Sequence, residues 1–136
     1  MRFSLICCAI LAATAATASA GGVHDCGSLS VGPGALRHGS TQGAVCFLQA
    51  YPKCRPTSYT LASFGVDTIG TDVFRLQTTS NGCRVEVTGT FRVVPQRPHT
   101  TLRAVCLRVS RSPSDIVATG CIGTGSTKTI SLTGRH

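Results

Sequence analysis

Hydrophobic residues recur along the chain with two periods, one typical of a helix and the other of strands. The positions i, i+3, i+4 and i+7, which share one face of a helix, hold Ala44, Phe47, Leu48 and Tyr51. Thr41 is placed to cap the start of this helix, and Pro52 is placed to end it. The pattern therefore predicts a single helix in the first half of the chain.

Most of the remaining chain is rich in β-forming residues and predicts strands. The predicted strands are a short one around Leu29 and Val31, and then Ser58 to Phe64, Asp72 to Thr78, Cys83 to Val94, Leu102 to Val109, Ile116 to Ile122 and Thr129 to Leu132. Asn81-Gly82 predicts a hairpin with a type I′ turn, because both residues tolerate positive φ. In Cys83 to Val94, apolar and polar residues alternate, so its apolar face is expected to pack against the helix.

This order of elements predicts an α+β fold in which one short helix packs on a curved antiparallel sheet. An all-β barrel or sandwich is the alternative. The last residues, Thr133 to His136, are expected to fray. Residues 21–136 contain no stretch that approaches the roughly 18 to 20 consecutive apolar residues of a membrane helix, so we expect no membrane span there.

The first 20 residues have the features of a secretion signal peptide. Arg2 precedes an apolar run, Phe3 to Leu11, and the segment ends with the small residues Ala18-Ser19-Ala20. We expect cleavage after Ala20, which leaves residues 21–136 as a single secreted domain. The alternatives are a retained anchor, or a lipid attached at Cys7 or Cys8.

Removal of the leader leaves an even number of cysteines in an oxidising compartment, and this predicts three disulfides. The cysteines are Cys26, Cys46, Cys54, Cys83, Cys106 and Cys121. Their spacing does not determine the pairing, but a turn signal at Ser112 to Asp115 favours a bridge between Cys106 and Cys121. No C-x-x-C occurs, so we expect neither a metal site nor a redox-active pair, and no cofactor.

Several short motifs together resemble a family of small secreted bacterial proteins with six cysteines and no established function. They are Cys46-Phe47, Ala50, Cys54, Gly65-Val66-Asp67-Thr68, Phe74, Gly82-Cys83 and Gly120-Cys121. The similarity spans residues 26–121. It implies secretion and a shared disulfide framework, and it supplies no catalytic residue.

The chain is basic and its cations are mostly arginine, with 13 Lys and Arg against 5 Asp and Glu and a formal net charge of +8. A guanidinium group binds phosphate, sulfate or carboxylate through paired hydrogen bonds. The predicted strands place several arginines on polar faces, and the candidate anion-binding residues are Arg75, Arg84, Arg92 and Arg103. An acidic protein or a polyanion is the expected partner. The alternative interpretation is that these charges reflect genomic base composition and only solvate an open sheet face.

We therefore expect a non-enzymatic secreted interaction module, and two other functions remain open. Nucleic acid is a less favoured partner because few aromatic residues accompany the cations. The first alternative is an inhibitor or effector acting through Pro95 to Thr101, whose prolines reduce the entropy lost on binding. The second is a small hydrolase that uses Asp67 with Asp72, or a histidine such as His99.

Overall fold

Strands dominate the computed structural model, which describes residues 21–35 and 39–135. The predicted signal peptide therefore lies outside the described residues. In chain order the elements are β1 (His24–Val31), α1 (Gln42–Ala50), a 3-10 turn (Tyr51–Lys53), β2 (Thr57–Phe64), β3 (Thr68–Thr79), β4 (Gly82–Val93), β5 (His99–Cys106), β6 (Arg108–Arg111), β7 (Ile116–Thr119), β8 (Ile122–Thr124) and β9 (Thr129–Ser131).

The strands form two sheets, and the predicted α+β fold is confirmed. The larger sheet has six strands in the order β1-β2-β3-β4-β5-β8, and the smaller has three in the order β6-β7-β9. Within the described residues neither sheet closes into a barrel. The pairs are antiparallel except β1 with β2, which is parallel. This exception arises because the chain passes through α1 between these two strands, a crossover that parallel neighbours require.

The helix packs on β1 and β2 through an aromatic cluster. Phe47 of α1 lies 6.3 Å from Tyr59 and 6.3 Å from Phe74, measured between ring centroids, and the two sheet rings are 5.8 Å apart. All three side chains are fully buried. Aromatic rings bury large apolar areas and favour such tilted contacts, so this cluster fixes the helix on the sheet.

The start of the helix differs in detail from the prediction. The Thr41 side chain makes no capping hydrogen bond, and Ser40 Oγ instead accepts one from the Gln42 N–H at 3.2 Å. Gly43, one residue later, lies so close to the sheet that a Cβ there would be 2.8 Å from the Cys26 carbonyl oxygen. A glycine at this position allows the first turn of the helix to contact β1.

The hairpin between β3 and β4 is confirmed, but its turn type is not. Thr79 pairs with Gly82 across the turn, and of the turn residues only Gly82 has positive φ, at 109°. A type I′ turn needs positive φ at both central residues, so that part of the prediction is wrong.

The apolar face of β4 is only partly covered. Val85 and Val87 are buried in the core, but Phe91 and Val93 are 36% and 37% exposed. Strands β3 and β4 have 12 residues each and extend past the helix, which lies mainly against β1, β2, β6 and β7.

Two strands that the sequence predicts as continuous are each divided between the two sheets. The chain leaves the larger sheet after Cys106, passes the exposed residue Leu107 and continues as β6 in the smaller sheet. It returns through Gly120, whose φ of 66° turns the backbone, and then forms β8 beside β5. Such changes of direction are not visible in the hydrophobic pattern, which shows only that both segments favour strands.

Three disulfides join these elements, and the predicted Cys106–Cys121 bridge is confirmed. It connects the points where the chain leaves and re-enters the larger sheet. The other two bridges are Cys26–Cys46, which joins β1 to α1, and Cys54–Cys83, which joins the residue after the 3-10 turn to β4.

The described end of the chain is held in place, and the expected fraying does not apply to it. Thr133 is buried, and its hydroxyl donates a hydrogen bond to Asp115 Oδ1. The Arg135 guanidinium donates to the Ser114 carbonyl at 3.0 Å. His136 lies outside the described residues. Among the described helices, none has the length and apolar character needed to cross a bilayer.

Two tyrosines allow a matched test of the core hydrogen bonds. Tyr59 donates to the Leu132 carbonyl at 2.8 Å inside the core, and Tyr51 donates to the Leu107 carbonyl at 2.7 Å in a solvent-exposed bond. Tyr59→Phe leaves a buried carbonyl without its donor, so we expect a loss of about 1 to 3 kcal/mol in the free energy of unfolding. Tyr51→Phe should lower it by less, because water can replace the lost bond. Urea unfolding measures both values, and equal losses would contradict this account.

Candidate anion-binding face

The larger sheet has one covered and one open face. The inner face packs against α1 and contributes residues such as Tyr59, Phe74 and Val85 to the core that β6, β7 and β9 also line. The outer face is the opposite one, and it carries Ser58, Thr60, Val73, Arg75, Gln77, Arg84, Glu86, Thr88, Arg92, Arg103 and Val105. None of these outer-face residues is buried.

Strand register places three of the four predicted arginines around Glu86 on the outer face. Arg75 pairs with Glu86, and the next outward-facing pair is Gln77 with Arg84. Arg75 and Arg84 are therefore diagonal neighbours, a relation that places such positions about 7 Å apart. Arg103 lies on the far side of β4, where it pairs with Thr88. Glu86 is thus the acidic residue at the centre of a group formed by Arg75, Arg84 and Arg103.

Arg92 does not belong to this group. It pairs with Ile69 near the start of β3, and it lies eight residues along β4 from Arg84. At the rise of an extended strand, this separation corresponds to about 26 Å. A ligand group bound between Arg75 and Arg84 is therefore out of reach of Arg92.

Two open grooves flank the arginines on the outer face. One groove, of about 910 Å³, runs over β1 to β3 and is lined by Arg75 and Asp25. The other, of about 580 Å³, runs over β4, β5 and β8 and is lined by Arg103 and Glu86. Each groove therefore has one guanidinium group and one carboxylate on its wall.

The two carboxylates of this region have neutral hydrogen-bond partners. Glu86 Oε2 accepts a hydrogen bond from the Gln77 amide at 2.8 Å. Asp25 Oδ1 accepts one from the Gly27 N–H at 2.9 Å, and the Ser58 hydroxyl is at 3.5 Å. These bonds hold the carboxylates in place without using an arginine as the donor.

The loop at Pro95 to Thr101, the basis of the inhibitor hypothesis, forms part of an exposed tip of the molecule. We define the tip as residues 65–68 and 91–99, which are joined by a 2.7 Å hydrogen bond from the Val94 N–H to the Asp67 carbonyl. Val66 is 97% exposed and Val94 is 48% exposed. The Phe91 and His99 rings meet edge to face, with their centroids 6.0 Å apart. The tip thus presents aliphatic side chains to solvent.

The residues suggested for hydrolase chemistry are not brought together. Asp67 lies in the turn before β3 and Asp72 within that strand, where the four residue steps from Thr68 to Asp72 alone span about 13 Å. Glycosidases place their two carboxyl groups about 5 to 9.5 Å apart. His24 begins β1 and pairs with Thr57, while His99 pairs with Phe91 at the opposite end of the sheet. His38 and His136 lie outside the described residues.

One cluster was not anticipated from the sequence. His24, Cys26 and Cys46 place their donor atoms within 4.8 Å of one another, and His24 Nε2 is 3.7 Å from Cys46 Sγ. Both sulfurs share one disulfide, so neither is the thiolate that a metal ion would bind. The i, i+2 spacing of His24 and Cys26 on one strand was the only local signal; the proximity to Cys46 depends on the position of α1.

Tyr59 and Asp115 interact beneath the β6–β7 turn. Asp115 lines a cavity of about 310 Å³ with Arg111 and Arg135. Burial, and secondarily the negative charge of Asp115, raises the pKa of the Tyr59 phenol. Asp115 itself accepts a hydrogen bond from the Ile116 N–H at 2.6 Å, so it closes the turn as an Asp at such a position often does.

The chain matches no protein family, no curated protein sequence and no solved structure. The resemblance to small secreted proteins with six cysteines therefore stays a prediction.

The raised pKa of Tyr59 predicts a loss of stability at alkaline pH. Above the ordinary tyrosine pKa of about 10, the unfolded chain releases the phenolic proton while the folded protein keeps it. The unfolded state then binds fewer protons, so the free energy of unfolding falls by up to about 1.4 kcal/mol per pH unit. Urea unfolding at several alkaline pH values should show this fall in the wild type and in Tyr51→Phe. This fall in the free energy of unfolding should be absent in Tyr59→Phe. A fall of the same size in that variant would show that another titrating group causes it.

Proposed function

We propose that this chain is a small basic binding module whose outer face binds an acidic protein or a polyanion. The observation that carries the proposal is the one-sided covering of the larger sheet. Its inner face is occupied by α1 and the core, while its outer face presents Arg75, Arg84 and Arg103 to solvent. We also propose that the protein is secreted, which agrees with its leader sequence and its three disulfides.

The shape of the outer face favours an extended ligand over a small molecule. Its grooves are shallow and open, whereas small-molecule sites usually enclose most of their ligand. Arginines on neighbouring strands can each contact a separate sulfate, phosphate or carboxylate group of one polymer. Such binding releases counterions and is sensitive to salt.

The position of the aromatic residues argues against single-stranded nucleic acid as the partner. Binding of that kind relies on exposed rings on which bases stack. Phe47, Tyr59 and Phe74 are fully buried in the core. None of the outer-face residues around Arg75, Arg84 and Arg103 is aromatic, and the half-buried Phe64 faces outward only at the Arg92 end of the sheet, where it pairs with Ile69. The proposal therefore favours an acidic protein or a sulfated or carboxylated polymer.

The arginine group can be tested by elution from an immobilised polyanion such as heparin. The variant with Arg75→Gln and Arg84→Gln should elute at lower salt. The slope of log K against log salt concentration should become less steep by about one for each lost contact between an arginine and the polyanion. The matched control carries Arg108→Gln and Arg111→Gln, which remove the same charge from the smaller sheet. An equal shift in both variants would mean that the attraction is diffuse, and the proposed site would be rejected.

The central carboxylate provides a test in the opposite direction. Glu86 repels anions from the middle of the arginine group, so Glu86→Gln should raise the salt concentration needed for elution. Asp67→Asn at the tip changes the net charge equally and should have a smaller effect. If Asp67→Asn strengthened binding as much as Glu86→Gln, net charge alone would account for the affinity.

The exposed tip supports a second candidate, an inhibitor or effector of another secreted protein. Val66 and Val94 project from two loops that a backbone hydrogen bond holds together, and Pro95 and Pro98 limit the motion of one loop. Aliphatic side chains presented in this way lose little entropy when a partner covers them.

This candidate predicts inhibition of an extracellular hydrolase by a surface distinct from the outer face. In a panel of extracellular proteases and glycosidases, the wild type should inhibit at least one enzyme. Val66→Ser with Val94→Ser should abolish that inhibition without changing elution from heparin. A panel that shows no inhibition, or inhibition that survives this double substitution, would remove the second candidate.

A further inference from the structure

The three disulfides differ in the chemical groups that surround their sulfur atoms. Cys106 and Cys121 are 0% and 7% exposed, so their bridge is shielded from solvent. The other two bridges are formed by half-buried cysteines. Exchange with an external thiol requires access to a sulfur atom, so these two bridges are the candidates for it.

The Cys54–Cys83 bridge lies among acceptor groups. Cys54 Sγ is 3.7 Å from the Gln77 carbonyl oxygen, and Cys83 Sγ is 3.5 Å from the Tyr51 carbonyl oxygen. A sulfur in a disulfide carries no proton, so these are contacts with the negative ends of two carbonyl dipoles. Such contacts disfavour the negative charge that a departing thiolate develops.

The Cys26–Cys46 bridge has the opposite surroundings. His24 Nε2 lies 3.7 Å from Cys46 Sγ, and the His24 side chain is exposed to solvent. An imidazole N–H donates a hydrogen bond to a thiolate, and a nearby histidine lowers the pKa of a cysteine. A thiol of lower pKa leaves faster in thiol–disulfide exchange.

We propose that Cys26–Cys46 is a site of modification by a small thiol. The attacking thiolate forms a new S–S bond with Cys26 Sγ as the Cys26–Cys46 bond breaks. The electron pair of the broken bond goes to Cys46 Sγ, which leaves as a thiolate stabilised by the His24 N–H and then takes a proton from water. One disulfide replaces another, so the step needs no oxidant. A small thiol is the expected reagent because both sulfurs are only partly exposed.

The modification would change the N-terminal edge of the sheet and leave the remaining framework intact. Cys26–Cys46 joins β1 to α1, whereas the other two bridges lie elsewhere in the fold. β1 also pairs with β2 independently of this bridge, from His24 with Thr57 to Val31 with Ser63, with a one-residue shift of register between Asp25 and Ser28. The site is separate from the arginine group of the outer face, so this inference does not depend on the proposed function.

The test is exchange of the folded, oxidised protein with reduced glutathione. Samples are quenched with N-ethylmaleimide at increasing times, digested and mapped by mass spectrometry. We expect glutathione on Cys26 and N-ethylmaleimide on Cys46, with both appearing about tenfold or more faster than label on any other cysteine. First opening of Cys54–Cys83, or glutathione equally divided between Cys26 and Cys46, would overturn the proposal.

Substitution of the histidine separates its chemical role from simple exposure of the bridge. His24→Ala should slow the exchange about threefold or more and reduce the preference for Cys26 as the glutathione carrier. His99→Ala removes another exposed histidine at the far end of the sheet and should leave the rate unchanged. An unchanged rate and unchanged preference in His24→Ala would show that His24 does not assist. The urea midpoint of each variant establishes that both are folded.

Discussion

The contact of Phe47 with Tyr59 and Phe74 is the interaction on which the rest of the structure depends. A chain with one short α-helix in its described part can cover only one face of a six-stranded sheet. The aromatic cluster decides which face that is. It sets the side on which β6, β7 and β9 complete the core, and it leaves the opposite face with its arginines open to solvent.

The second constraint is the passage of the chain between two sheets. β5 and β8 belong to the larger sheet, while β6 and β7, which lie between them in sequence, belong to the smaller one. The Cys106–Cys121 bridge connects the two ends of the segment between β5 and β8, and it lies next to the pairing of Val105 with Ile122. A disulfide at this place limits the ways in which the unfolded chain can separate the sheets, and this is how such bridges chiefly stabilise small proteins.

Local patterns in the sequence predicted the elements that depend on neighbouring residues. The helical spacing from Ala44 to Tyr51 and the Asn81-Gly82 turn signal both found their elements, because a helix face and a hairpin are determined by residues close in sequence. The alternation in β4 correctly separated the core residue Val85 from its outward-facing neighbour Arg84.

Apart from the Cys106–Cys121 bridge, features that depend on distant segments were not predicted. The parallel pairing of β1, the break at Leu107 and the hydrogen bond between Thr133 and Asp115 each involve residues far apart in the chain. The candidate site shows the same limit. Alternation placed four arginines on polar faces, but only the register of β3, β4 and β5 shows that Arg75, Arg84 and Arg103 surround Glu86 and that Arg92 does not. The proximity of His24 to Cys46 likewise required the position of the helix.

The parallel pairing of β1 with β2 also orders events in time as the chain emerges from the ribosome with its N-terminus first. His24 pairs with Thr57, so β1 has no partner strand until the residues of α1 and the start of β2 have also emerged. The β3–β4 hairpin, in contrast, can close as soon as its own two strands have emerged. The first strand to emerge is thus an edge of the sheet that must wait for its neighbour, and Cys26 cannot form its bridge until Cys46 has emerged as well.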